Sequence, residues 1–126
     1  MDIITPQDLK TWCKIPYDEL ENHLQLKIPF RLVDDSAAMG QIMARELVDE
    51  IKAHNEKGEV TRAIIPCGPS CWYKPFTDLA NRENISLKRL VVFHMDECLD
   101  WEGRELPRNH PYSFRGFMER HFYAPV

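Results

Sequence analysis

A parallel α/β sheet is the fold class this sequence predicts, on three observations. Apolar runs at residues 30–33, 61–65 and 87–95 each stop at adjacent acids or at a Pro/Gly turn. Between them lie stretches whose apolar residues recur at three- and four-residue steps, the period of an amphipathic helix. Strand and helix therefore alternate, the order that puts parallel strands in one sheet with helices packed on its faces.

Each element has its own signal. Thr5-Pro6-Gln7-Asp8 opens a short helix reaching about Cys13, with Thr5 as N-cap and Pro6 at the first helical position. Residues 14–30 carry Pro16 and Pro29 and little periodicity beyond a helical turn or two between Tyr17 and Leu26. Residues 1–30 are therefore expected to form an amino-terminal extension to the α/β part, residues 31–126. Phe30-Arg31-Leu32-Val33 reads as a strand, and Asp34, Asp35 and Ser36 offer N-caps for the helix that follows. Met39, Ile42, Met43, Leu47 and Ile51 mark one face of that helix until Lys57-Gly58 ends it. Thr61 to Ile65 is a short buried strand stopped by Pro66-Cys67-Gly68-Pro69-Ser70. From Ser70 or Cys71 a helix carries Trp72, Tyr73, Phe76, Leu79 and Ala80, with Pro75 in its first turn. The run from Leu87 to Met95 is the strongest strand, and Val91-Val92-Phe93 suits a strand covered on both faces. A polar loop from Asp96 to Asn109 leads to a helical stripe of Phe114, Phe117, Met118, His121 and Phe122, on which His121 is read as a half-buried packing residue.

Composition narrows the function. The chain has 126 residues, 44% hydrophobic and 29% charged, enough for one core and unlike a disordered segment. A net charge of −4 without a Lys/Arg stripe argues against nucleic acid as a partner. No apolar run is long enough to span a bilayer and no basic-then-apolar leader begins the sequence, so the expected setting is the cytoplasm, without a membrane partner. Cys13, Cys67, Cys71 and Cys98 are then expected as reduced thiols.

Ligands of parallel sheets bind at the carboxyl ends of the strands, which brings two segments into consideration. Asp96 and Glu97 stand where the last strand emerges. Partial burial and a neighbouring like charge there would raise a carboxyl pKa toward that of a useful general base. Acids at strand ends also cap helices or face water. Cys67, Gly68 and Ser70 lie on a strand-to-helix turn, where backbone N–H groups favour an anion such as phosphate; the plain alternative is a turn with Ser70 as N-cap. Cys67, Cys71, His94 and Cys98 form a Cys-x3-Cys and His-x3-Cys set that could hold zinc, although structural zinc sites usually have tighter knuckles. Arg104, Arg108 and Arg115 near His110 could steer an anion, or could be a solvated face. Trp12, Trp72 and Trp101 are read as core or loop anchors.

Val92-Phe93-His94-Met95-Asp96-Glu97, followed by His110-Pro111-Tyr112-Ser113-Phe114 and Phe117-Met118, resembles the glucosamine-6-phosphate deaminase family, as do Tyr73-Lys74 and Ser86-Leu87-Lys88. The similarity runs from about residue 30 to residue 126. It implies a larger doubly wound, Rossmann-like domain with helices on both faces, of which this chain would be the amino-terminal half. It further implies isomerisation and deamination of an amino-sugar phosphate, with a sugar phosphate as the small-molecule partner, no cofactor, and oligomerisation left open. By the same resemblance Asp96 moves the proton between the first two sugar carbons and Glu97 supports it. Three departures stand out: Cys67-Gly68-Pro69-Ser70-Cys71 has one glycine fewer than the family's phosphate loop, Cys98 replaces a tyrosine, and residues 101–108 form an atypical loop. The family's Asp-Gly-His segment would lie further along. The alternatives are a 6-phosphogluconolactonase-like hydrolase, whose family differs at Met95-Asp96-Glu97, and a non-catalytic sugar-phosphate-binding remnant.

Overall fold

Three of the α-helices in this chain start where a short polar side chain takes the first free amides. In the computed structural model, which describes residues 4–24 and 26–126, the Thr5 hydroxyl accepts the Asp8 amide at 3.2 Å. The Asp8 carboxylate in turn accepts the Thr5 amide at 2.8 Å. This reciprocal box, with Pro6 behind it, opens α1 (Pro6–Trp12). A 3-10 turn follows at Tyr17–Asn22. The chain divides into two compact units, Met1–Val33 and Asp34–Val126. Residues 30–33 are not the predicted strand. An apolar run becomes a strand only when a ladder partner takes its backbone groups, and here the Leu32 amide donates instead to the Glu21 carboxylate.

The second unit starts with α2 (Ser36–Lys57). The Asp35 carboxylate caps it by accepting the Ala38 amide at 2.7 Å, and Gly58 closes it at φ +72°. Its fully buried residues are Gly40, Ala44, Val48 and Ile51. Most of the larger residues of the predicted stripe, Met39, Ile42, Met43 and Leu47, flank this line and are half-buried. The buried line is narrower than the sequence suggests because α2 approaches another backbone closely: a Cβ on Gly40 would lie 2.4 Å from the Cys71 carbonyl oxygen.

The strands β1 (Thr61–Ile65) and β2 (Leu90–His94) pair in parallel, with Thr61 opposite Leu90 and Ile65 opposite His94. Among the described residues these form the whole sheet, two strands rather than a doubly wound array. One face is packed and the other is not. Arg62, Ile64, Val91 and Phe93 point to an exposed face, so among the described residues β2 is covered on one side only, where its continuous apolar sequence suggested two.

Between the strands, a 3-10 turn (Ser70–Trp72) leads into α3 (Tyr73–Arg82), with Pro75 tolerated in the first turn as expected. The last element is α4 (Phe114–Met118), extended by a π-helical turn at Glu119–Tyr123. It docks through aromatic rings: Phe122 stacks on Phe76 at a centroid distance of 5.2 Å and meets Trp72 and Tyr73 edge-on at 5.3 and 5.4 Å. Of the three tryptophans only Trp72 is in this core; Trp12 and Trp101 are exposed. His121 is also exposed, leaning its ring on Phe117 instead of packing in the core.

Gly116 marks the tightest packing, since a Cβ there would lie 1.9 Å from the Arg108 carbonyl oxygen. Gly116→Ala should destabilise the protein by about 2–3 kcal/mol in urea titration, the typical cost of overpacking. Gly103→Ala meets no atom and loses only its positive φ, so it should cost about 1 kcal/mol. Equal costs would mean that the loop ending at Arg108 yields freely.

Candidate functional site

Parallel pairing places the carboxyl ends of β1 and β2 side by side, and with them the two segments singled out above. The Met95 amide donates to the Ile65 carbonyl, extending the ladder one residue past β2. Cys67 therefore lies near enough to Asp96 and Glu97 to feel both charges. Burial first, then these two carboxylates, raise its thiol pKa, which leaves it a poor nucleophile.

Asp96 and Glu97 are adjacent in sequence but opposite in setting. Asp96 is exposed, and its carboxylate makes no hydrogen bond or ion pair among the described residues. Glu97 is half-buried and fully engaged: one oxygen accepts the Cys98 amide at 2.8 Å and the Phe114 amide at 2.7 Å, and the other accepts the Arg115 amide at 2.8 Å. Burial pushes the Glu97 carboxyl upward, but the amides of Arg115, Phe114 and Cys98, with His94 nearby, outweigh it and hold the pKa below its ordinary value. The expected upward shift is thus reversed at Glu97, because its oxygens meet the free amides at the start of α4. Ser113 completes that start by accepting the Gly116 amide at 3.1 Å.

The turn after β1 contains a cis Gly68–Pro69 bond. No atom lies within 4 Å of where a Gly68 side chain would begin. Ser70 is not the N-cap foreseen for it. Pro69 precedes the 3-10 turn and Trp72 precedes α3, and neither start has a side-chain cap. Two tyrosines to which the sequence reading assigned no role at the site support the strand ends. The Tyr73 hydroxyl donates to the Pro66 carbonyl at 2.7 Å, and burial, followed by Cys67 and further neighbours, pushes its pKa up to about 12. The Tyr123 hydroxyl lies 2.7 Å from His94 Nε2, with the two rings stacked. Neither tyrosine could have been found by spacing alone, since both rest on contacts between distant segments.

The zinc set does not form. Among the described residues no three His, Cys, Asp or Glu side chains gather as metal ligands. His94 is engaged with Tyr123, and the Cys67 thiol points at the Phe114 carbonyl, 4.0 Å away. The loop arginines are likewise committed. Arg104 pairs with Asp100 and Glu102, Arg108 with Glu119 at 3.0 Å, and Arg115 with Glu105 at 2.9 Å. They brace the loop and leave little net positive charge to steer an anion. The described residues contain no helix long and apolar enough to cross a membrane.

No family model matches the sequence. In fold, the chain is similar to a solved structure described as a monomeric glucosamine-6-phosphate deaminase and as the "missing link of the NagB superfamily". The TM-score is 0.62 at 22% identity, over 75% of this chain and 36% of that one. The chain thus spans about a third of the length of that protein. What the likeness establishes is an α/β arrangement common to the two.

Glu97 yields a test with a definite sign. A carboxyl whose pKa is lowered on folding contributes stability above its unfolded value, near 4.5, and loses that contribution as pH falls through the folded value. Glu97→Gln should cost about 1 kcal/mol at pH 7. The difference from wild type should shrink as pH drops below about 4. Urea titrations across that range read it, and a difference independent of pH would remove the carboxylate from this role.

Proposed function

We propose that the chain belongs to a sugar-phosphate isomerase/deaminase acting on an amino-sugar phosphate, glucosamine 6-phosphate being the first substrate to try. The observation that carries this reading is the juxtaposition of an unpaired, solvent-facing Asp96 with an open turn at Cys67, Gly68 and Ser70, at the ends of adjacent parallel strands. The fold shared with a deaminase and the Met95-Asp96-Glu97 and His110-Pro111-Tyr112-Ser113 segments support it.

In this reading the uncapped amides at the start of the 3-10 turn and α3 receive the phosphate, near Ser70. The Asp96 carboxylate takes the proton from C2 of the open-chain aldose and returns it to C1. This converts the amino-aldose into a ketose imine, and water then displaces ammonia to leave the ketose phosphate. A carboxylate is a weak base for a carbon acid, so the reaction relies on position and on hydrogen bonds to the enediol-like intermediate. Glu97 acts indirectly. Its three amide bonds fix the turn that carries Asp96, which makes it a positioning residue, not a second base. The remaining groups that the reaction needs would come from elements beyond the stretch shared with the longer neighbour.

The test is ammonia release from glucosamine 6-phosphate by the intact polypeptide that carries these residues. Asp96→Asn should lower kcat by about a thousandfold, the scale of general-base loss. Its melting temperature should stay close to wild type, because the Asp96 side chain is exposed and unpaired. Undiminished turnover in the variant would reject Asp96 as the base. Hydrolysis of 6-phosphogluconolactone to 6-phosphogluconate, with no ammonia released from glucosamine 6-phosphate, would replace the reaction class.

A further inference from the structure

Two hydroxyls of equal reach hold the two strand ends that make the site. Tyr73 opens α3, and its ring lies in the aromatic core at 2% exposure. From there its hydroxyl donates back to the Pro66 carbonyl at 2.7 Å, so one bond closes the base of the turn that carries Cys67, Gly68 and Ser70. Tyr123 ends the π-helical turn beside the buried Phe122. Its hydroxyl lies 2.7 Å from His94 Nε2, and its ring stacks on the imidazole at a centroid distance of 5.7 Å. A phenol both gives and accepts hydrogen bonds, so Tyr123 serves His94 in either tautomer. Burial raises both phenol pKa values, which keeps each group a hydroxyl at neutral pH. His94 stands two residues before Asp96, and between them the Met95 amide makes the last ladder bond, to Ile65 at 3.1 Å. With Glu97 clamped one residue downstream, the Asp96 backbone is held on both sides.

We infer that Tyr73 and Tyr123 are positioning residues with divided duties: Tyr73 sets the turn that receives the substrate's phosphate, and Tyr123, through His94, sets the Asp96 base. This inference rests on the sugar-phosphate reaction proposed above. The division follows from when each contact acts. Phosphate is held alike in the bound substrate and in the transition state, so a loosened turn weakens both equally and raises KM. Proton abstraction belongs to the transition state alone, and a group displaced by about 1 Å forfeits about a hundredfold in rate. A loosened Asp96 therefore lowers kcat and leaves KM in place.

Tyr73→Phe and Tyr123→Phe each keep the ring and remove one 2.7 Å hydrogen bond, so they are matched as structural lesions. In the intact polypeptide acting on glucosamine 6-phosphate, Tyr73→Phe should raise KM at least about fivefold and hold kcat within about twofold. Tyr123→Phe should lower kcat about ten- to a hundredfold and hold KM within about twofold. Added to Asp96→Asn, Tyr123→Phe should lower kcat no further, because the hydroxyl acts through Asp96. A merely structural role would lower kcat alike in both variants through loss of folded protein; that result, or a further fall in the double variant, would overturn the division. Amide hydrogen exchange gives a readout that needs no turnover. Tyr123→Phe should speed exchange at Met95, and Tyr73→Phe at residue 73, whose amide bonds the Ser70 carbonyl, each about tenfold with the other amide unchanged. Unchanged exchange in both variants would overturn the inference even with the reaction confirmed. Local loosening as expected, in a wild type that releases no ammonia, would overturn the reaction and with it the kinetic duties, while confirming the two ties.

Discussion

Two strands of five residues cannot make a core by themselves, and the aromatic plug between α3 and the final helix is the interaction on which the rest depends. Trp72, Tyr73 and Phe76 receive Phe122 within centroid distances of 5.2 to 5.4 Å, and Phe76 and Phe122 are completely buried. A ring-sized truncation here would cost about 3–5 kcal/mol, a large part of the stability of a domain this small. The same plug sets the site. Tyr73 reaches from it to the Pro66 carbonyl at the end of β1, while Tyr123, next to Phe122, reaches His94 at the end of β2. Packing energy in the core is thereby converted into fixed positions for the two strand ends.

The uncovered face of the sheet is the counterpart of that arrangement. Helices supply apolar surface on one side, where Thr61, Ala63, Ile65, Leu90, Val92 and His94 are buried or half-buried, and nothing among the described residues supplies it on the other. Phe93 and Met95 remain 55% and 61% exposed there. An apolar surface of this kind is a place of association in a folded protein.

Much of the fold was legible in the sequence where a local rule decides. Thr5 and Asp35 as caps, Gly58 as a stop, Pro75 in a first turn and the strand at residues 61–65 all follow from one or two residues and their immediate backbone. Failures came where distant partners decide. Residues 30–33 have strand composition but no ladder to join, and α2 buries the line of Gly40 and Ala44 because another backbone lies close. At the site, the alignment of the two strand ends was readable from the alternation of elements. The division of labour between Asp96 and Glu97 was not, because it depends on amides from residues 114 and 115, on the far side of a long loop.

That loop starts and finishes on one carboxylate: Glu97 accepts the amide of Cys98 at its departure and those of Phe114 and Arg115 on its return. Its two ends are therefore clamped together irrespective of what lies between them. Closing a longer loop adds only about 0.6 kcal/mol for each doubling of its length. The interval from Leu99 to Pro107, ahead of the Arg108 backbone that packs on Gly116, is consequently a place where insertions and deletions can accumulate without moving Asp96. Such an anchored loop lets selection try new rims for the cleft while the floor beneath it stays unchanged.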